Sequence, residues 1–223
     1  MINIAVDGPA GAGKSTIARA VAAHFGYIYI DTGALYRTIA LWIKNNGKDI
    51  NDVSQVASVL ENNAPDIRIR FIDGEQRIFL FNDDVSGLIR TPEISMGASK
   101  VSSYPVVRRF LLDMQRNLAK TNNCIMDGRD IGTVILPDAN VKIFLTASPE
   151  ARAERRYKEL KEKGVETTFG DVLKDINKRD YDDTHRDIAP LKQAEDAILV
   201  DTSDIDLESS VKLMIETIKK ALE

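Results

Sequence analysis

Residues 5–22 read AVDGPAGAGKSTIARAVA: an apolar run leads into glycines, then a lysine, two hydroxyls and a helical apolar period. Gly8, Gly13, Lys14 and Ser15 fit the spacing G-x-x-x-x-G-K-[ST], directly after a predicted strand and at the opening of a predicted helix, the context in which that spacing has physical meaning. Glycines let successive backbone N–H groups converge on phosphate oxygens, and the helix that follows adds its positive N-terminal end. Gly8, Pro9, Ala10, Gly11, Ala12, Gly13, Lys14, Ser15 and Thr16 are therefore the candidate ATP-binding segment. Lys14 is expected to reach the β and γ phosphates and the Ser15 hydroxyl to ligate Mg2+. What the chain does with the phosphate is left open, because such loops serve switches, motors and kinases alike.

Outward from this stretch, short apolar runs alternate with longer helical periods, the pattern of a parallel sheet with crossover helices. Strands are expected at INIAV (2–6), YIYI (27–30), CIMD (124–127), VKIFLTA (141–147) and AILV (197–200), with helices over 15–25, 105–120, 148–163 and 206–223. Ser148 followed by Pro149 and Glu150 reads as a helix start. One region departs from the alternation. IRIRFIDGEQRIFLF (67–81) alternates apolar and polar residues on both sides of Asp73-Gly74, a signal for a β-hairpin with a tight turn. An antiparallel hairpin does not belong in a parallel sheet, so residues 33–103 are read as a small lobe inserted into a single α/β domain spanning 1–223.

Bulk properties narrow the function. A chain of 223 residues holds one sizeable core, and a formal charge of −4 offers no broad basic face for a nucleic acid backbone. Cys124 is the single cysteine, which excludes an internal disulfide or thiolate cluster and reads as inert core. No apolar run has the ~18 to 20 residues of a membrane span, and the N-terminal INIAV lacks a secretory pattern. A cytoplasmic protein is the expectation, and a monomer, since no long exposed apolar stripe is evident. Neither histidine has a metal-ligand spacing partner, and Tyr36 and Trp42, on an apolar helix, are read as packing.

A second phosphate brought to a bound triphosphate needs cationic compensation, for which arginine is suited. Arg37, Arg129, Arg179 and Arg186 follow predicted strands or lie farther on, and Arg152, Arg155 and Arg156 fall at i, i+3 and i+4 on one helix face. Taken singly, each has a solvated face as its alternative reading. Asn177, Lys178, Arg179 and Asp180 spell N-K-x-D, the guanine-reading pattern that ends a buried strand in GTPases. Here the surrounding DVLKDINKRDYDD has helical spacing and heavy charge, so the match is read as coincidental.

DTGALYR (31–37), DVSGLIRT (84–91), DGRDIGT (127–133) and HRDIAPL (185–191), with the glycine-rich loop, make the chain resemble bacterial cytidylate kinases over nearly its whole length. The resemblance implies phosphoryl transfer from ATP to CMP or dCMP, with Mg2+, on a five-stranded parallel core. It also implies an acceptor-binding lobe and an arginine-bearing lid at 149–166. It places Thr32, Arg37 and Arg129 at the acceptor phosphate and Ser99, Arg108 and Asp130 near the cytosine. Arg179, Asp183 and Arg186 would approach the ribose and the acceptor phosphate, and Arg152, Arg155 and Arg156 would be the lid arginines. Lys14, Arg129, Arg152, Arg156 and Arg186 are thereby the catalytic candidates. Asp127 either orders Mg2+ through water or is a structural carboxylate. For the base, a carboxylate facing the cytosine amine and a guanidinium facing its acceptors would pair every group, whereas uracil reverses two polarities; Asp130 as a local cap and Arg108 as a water-facing side chain are the alternatives. A kinase of UMP or of a shikimate-like acceptor, and a nucleotide switch, are the rival functions.

Overall fold

The computed structural model describes residues 1–223. From the N-terminus, β1 (Asn3–Asp7), α1 (Lys14–Phe25), β2 (Ile28–Asp31), α2 (Thr32–Asn45) and α3 (Val53–Asn62) lead into the hairpin β3 (Ile67–Ile72) and β4 (Glu75–Leu80). A two-residue strand β5 (Asp83–Asp84), α4 (Pro92–Val101) and α5 (Pro105–Thr121) follow. The chain closes with β6 (Cys124–Gly128), β7 (Val141–Thr146), α6 (Pro149–Glu162), α7 (Phe169–His185), β8 (Ile198–Asp201) and α8 (Leu207–Leu222).

Five strands form one parallel sheet in the order β2-β6-β1-β7-β8, so β1 sits at the centre with Ile4 opposite both Ile125 and Val141. Its alternation explains the two layers. Ile4 and Val6 pack with Ile17, Val21, Met214 and Ile218 of α1 and α8, while Ala5 faces the other way toward Ile30, Met126 and Ala119 of α5. Because the crossovers diverge from β1 toward opposite edges, its carboxyl end opens into the crevice where open α/β sheets bind ligands. Gly8 is required there: a Cβ on it would lie 1.9 Å from the Leu145 carbonyl oxygen.

The hairpin pairs Ile72 with Glu75 across Asp73 (φ 53°) and Gly74 (φ 77°), two left-handed residues in succession, the backbone of a tight two-residue turn. It forms a separate three-stranded sheet with β5, and its apolar face joins α2, α3, α4 and the first turns of α5 in a cluster that includes Leu35, Ile39, Ile78, Ile89 and Leu111. Trp42 belongs to this packing, its indole N–H donating to the Asn63 carbonyl at 2.9 Å. Gln76 ties the hairpin to the main sheet, accepting from the Asp31 backbone N–H at 2.7 Å and donating to the Asp31 carbonyl at 3.3 Å. The edge of β2 is thus covered by a side-chain amide that imitates a strand.

Ser148 caps α6, accepting from the Ala151 N–H at 3.2 Å ahead of Pro149. α6 packs on α7 through Ala153, Val172 and Ile176. Asn177–Asp180 lie inside α7, as their spacing predicts, and not at a strand end. Cys124 is buried on β6, where burial pushes its thiol up to about 12. No helix is long and apolar enough to cross a membrane.

Candidate active site

One cleft of about 820 Å³ runs along the carboxyl ends of β1, β2 and β6 and is walled by α4, α6 and α7. The glycine-rich loop and the start of α1 form its floor, with Gly11, Gly13, Lys14, Ser15 and Thr16 on the lining. Lys14 is only 5% exposed and donates from Nζ to the Pro9 carbonyl at 2.8 Å. Burial, helped by the neighbouring Arg129, pushes its ammonium down to about 7. A group so placed gains from an arriving anion, because only a counter-charge restores what desolvation removes.

Beside it, Ser15 Oγ and the Tyr29 hydroxyl both donate to Asp127 Oδ2 at 2.8 Å, and burial raises the Asp127 carboxyl above its ordinary range. Hydroxyl and carboxylate oxygen are hard donors suited to Mg2+, which keeps waters and takes substrate phosphate oxygens as further ligands. This donor pair at the mouth of the phosphate loop therefore fits such an ion, and no cluster of three or more His, Cys, Asp or Glu side chains offers an all-protein cage.

Across the cleft lies a second cationic group. Arg37, one turn into α2, pairs with Asp31 at 2.7 Å, and its Nε is buried without any partner. Asp31 also caps α2, accepting from the Ala34 N–H at 3.0 Å. Arg129 donates to Asp183 Oδ2 at 2.8 Å and to the Gly128 carbonyl at 3.1 Å. Burial alone would raise the Asp183 carboxyl, but Arg129, Arg179 and Arg186 hold it below its ordinary value. Arg179 stands exposed on the lining without an ion-pair partner. Thr32 is buried, its hydroxyl donating to the Asp127 carbonyl at 2.8 Å, which stitches the end of β6 to the start of α2.

At the far end, Asp130 is held between two guanidinia. Arg108 Nη2 donates to its Oδ2 and Arg186 Nη2 to its Oδ1 at 3.3 Å, while both arginines also reach Ser102. Arg108 lies 5.9 Å from the centre of the Tyr36 ring, and Tyr36 and Ser99 complete the wall. Two guanidinium donors and a carboxylate acceptor thus sit side by side on the lining.

The glycine-rich loop with its buried lysine, a second group of arginines and a polar slot beyond them thus line one cleft. A family model described as cytidylate kinase matches residues 4–220. The chain belongs to the cytidylate kinase family. A cytidylate kinase of Caldicellulosiruptor bescii is 48% identical over 100% of this chain and 97% of its own length. One of Streptococcus mutans is 47% identical, covering 96% of this chain and 94% of its own. A crystal structure of an uncharacterized protein from Eubacterium ventriosum superposes with a TM-score of 0.52 at 13% identity, over 98% of this chain and 99% of that one, a likeness of fold alone.

Set beside the family motifs, the structure brings Arg37, Arg129, Arg179 and Asp183 together and groups Arg186 with Arg108 and Asp130 at the slot. Arg152, Arg155 and Arg156 of α6 all line the cleft, each held by different partners. Arg152 is buried against the phosphate loop, Arg155 donates to the Thr202 carbonyl, and Arg156 pairs with Glu159 at 2.8 Å in solvent. Sequence reading passes over Asp7, whose carboxylate accepts from the Ile131 and Gly132 N–H groups at 2.7 Å each and pins the loop carrying Arg129 and Asp130. Its signal was present, a carboxylate ending an apolar strand beside the first glycine. Gln76 had none, being one polar residue in an alternating strand.

Proposed function

We propose that this chain transfers the γ-phosphoryl group of ATP to CMP or dCMP, giving ADP and CDP or dCDP. The observation that supports the reading is one cleft lined by two sets of cationic groups, Lys14 with the phosphate loop and, across from it, Arg37, Arg129 and Arg179. In phosphoryl transfer the protein's part is positioning and charge stabilisation, so no general base is required. Lys14 and the loop N–H groups hold the β and γ phosphates. Arg37, whose buried Nε lacks a partner, and Arg129 hold the acceptor phosphate so that one of its oxygens attacks the γ-phosphorus in line, and the bond to the β-γ bridging oxygen breaks. Ser15, with Asp127 through water, would hold a Mg2+ ion, which when bound would supply neutralisation of phosphate charge.

Asp130 accepts from the cytosine amine while Arg108 donates toward its ring acceptors, with Ser99 alongside, and Asp183 and Arg186 meet the ribose side. Residues 33–103 act as the acceptor lobe and 149–166 as the lid, whose Arg155 and Arg156 close on the transferring group and exclude water, while Arg152 braces the phosphate loop. An acceptor panel tests the reading: ADP release from ATP with CMP, dCMP, UMP, AMP, shikimate or no acceptor. Rapid release with CMP and dCMP alone is expected. Equal release without any acceptor would make the chain an ATPase, and a preference for UMP or shikimate would overturn the base assignment.

A further inference from the structure

Arg152 begins a stripe for which a solvated face is the alternative reading, yet the residue is 3% exposed. Its Nε donates to the Ala147 carbonyl at 2.8 Å, just past β7. Nη1 donates to the Ala10 carbonyl of the phosphate loop at 3.0 Å and to Asp180 Oδ1 at 3.0 Å, and Nη2 donates to Asp180 Oδ2 at 2.5 Å. One guanidinium therefore joins a strand end, the loop that holds the donor phosphates and α7. Asp180 supplies the only carboxylate in this junction and meets the guanidinium in a two-toothed geometry, the arrangement that fixes orientation as well as distance. On α7 it follows Arg179 directly and stands three residues before Asp183, the two groups by which that helix lines the acceptor end of the cleft.

We propose that Asp180 is a positioning residue for phosphoryl transfer, which through Arg152 couples the phosphate loop to α7 and so sets Arg179 and Asp183 across the cleft from Lys14. The inference rests on the kinase reading above. Without Asp180 the Arg152 guanidinium is a buried charge lacking a counter-charge, which drives it out of the junction toward solvent. Ala10 then loses its donor, and α7 loses its attachment to the loop. In-line attack is sensitive to misplacement of about 1 Å, so turnover suffers more than ATP affinity.

Steady-state kinetics with ATP and CMP on the whole chain provide the test, comparing wild type with Asp180→Ala, Asp180→Asn, Arg152→Ala and the double Asp180→Ala/Arg152→Ala. Absence of CMP turnover by the wild type overturns the kinase reading and this inference with it; turnover by the wild type isolates the inference. Asp180→Ala is expected to lower kcat roughly tenfold or more with KM for ATP within about twofold, and the double variant to be no slower than Arg152→Ala, since one residue acts through the other. Losses that multiply in full in the double variant overturn the coupling. Asp180→Asn keeps the volume while removing the charge, and carries the test should the alanine variant fail to fold. A folded Asp180→Asn that melts earlier but turns over at the wild-type kcat reveals a purely structural contact and overturns the inference.

Discussion

Asp130 illustrates how much one residue's role depends on its surroundings. Read along DGRDIGT it is a carboxylate beside an arginine, and nothing local says whether it caps, bridges or recognises. In the fold it is 4% exposed, held by Arg108 and Arg186 from two other segments. Burial pushes its carboxyl up while the two guanidinia pull against that shift. Replacement by asparagine keeps the shape but presents an amide of either polarity to the base. A hydrogen bond to a charged group is worth roughly 1.5 to 3 kcal/mol, so Asp130→Asn is expected to reduce the CMP-over-UMP ratio of kcat/KM by about one to two decades. KM for ATP stays unchanged, because the phosphate loop lies at the other end of the cleft. Measuring kcat/KM for both acceptors decides it, and an unaltered ratio would leave Asp130 a structural clamp for the two arginines.

At the level of elements, strands and helices follow the apolar periods closely, but the joints between them are made by single polar side chains. Asp7 clips β1 to the loop after β6, and burial raises its carboxyl from 3.8 to about 6. Between those values the folded protein holds a proton that the unfolded chain has released. The stability contributed by this group is therefore fully present below about pH 4 and is lost as pH rises through 6, by at most about 3 kcal/mol from roughly two pH units at 1.4 kcal/mol each. Asp7→Asn removes the titration, so urea unfolding from pH 4.5 to 7 is expected to show a flatter pH dependence than the wild type; identical slopes would assign the titration elsewhere. Gln76 makes the second joint. Gln76→Ala deletes two hydrogen bonds to the Asp31 backbone, at about 1 kcal/mol each, and loosens the residue that caps α2 and pairs with Arg37. A melting temperature lowered by a few degrees and a KM for CMP raised roughly three- to tenfold are expected, with KM for ATP unmoved; a change in ATP binding instead would break the link drawn from hairpin to acceptor phosphate.

For the whole molecule, the cleft lies between the parallel core, the cluster built on α2 to α5 and the α6–α7 pair, so both nucleotides together can bridge all three. Hydrogen exchange across residues 149–166 is expected to slow only when CMP and a non-hydrolysable ATP analogue are both bound, and to remain fast with either alone. Full protection by the analogue alone would mean that closure does not await the acceptor. The amino-acid sequence by itself determined the five core strands, the phosphate loop, the hairpin with its Asp73-Gly74 turn and the capped start of α6, because each is written in the spacing of neighbouring residues and short-range sterics decide it. It also carried the family motifs. Only the tertiary structure decided what the charged groups meet. Arg152 finds Asp180 28 positions away, and Asp7 reaches Ile131 across 124. A helical period says that residues 152, 155 and 156 share a side of α6, but a buried guanidinium takes its orientation from whichever carbonyls and carboxylates other segments bring within about 3 Å. That supply of partners depends on how the layers pack and has no counterpart in local spacing.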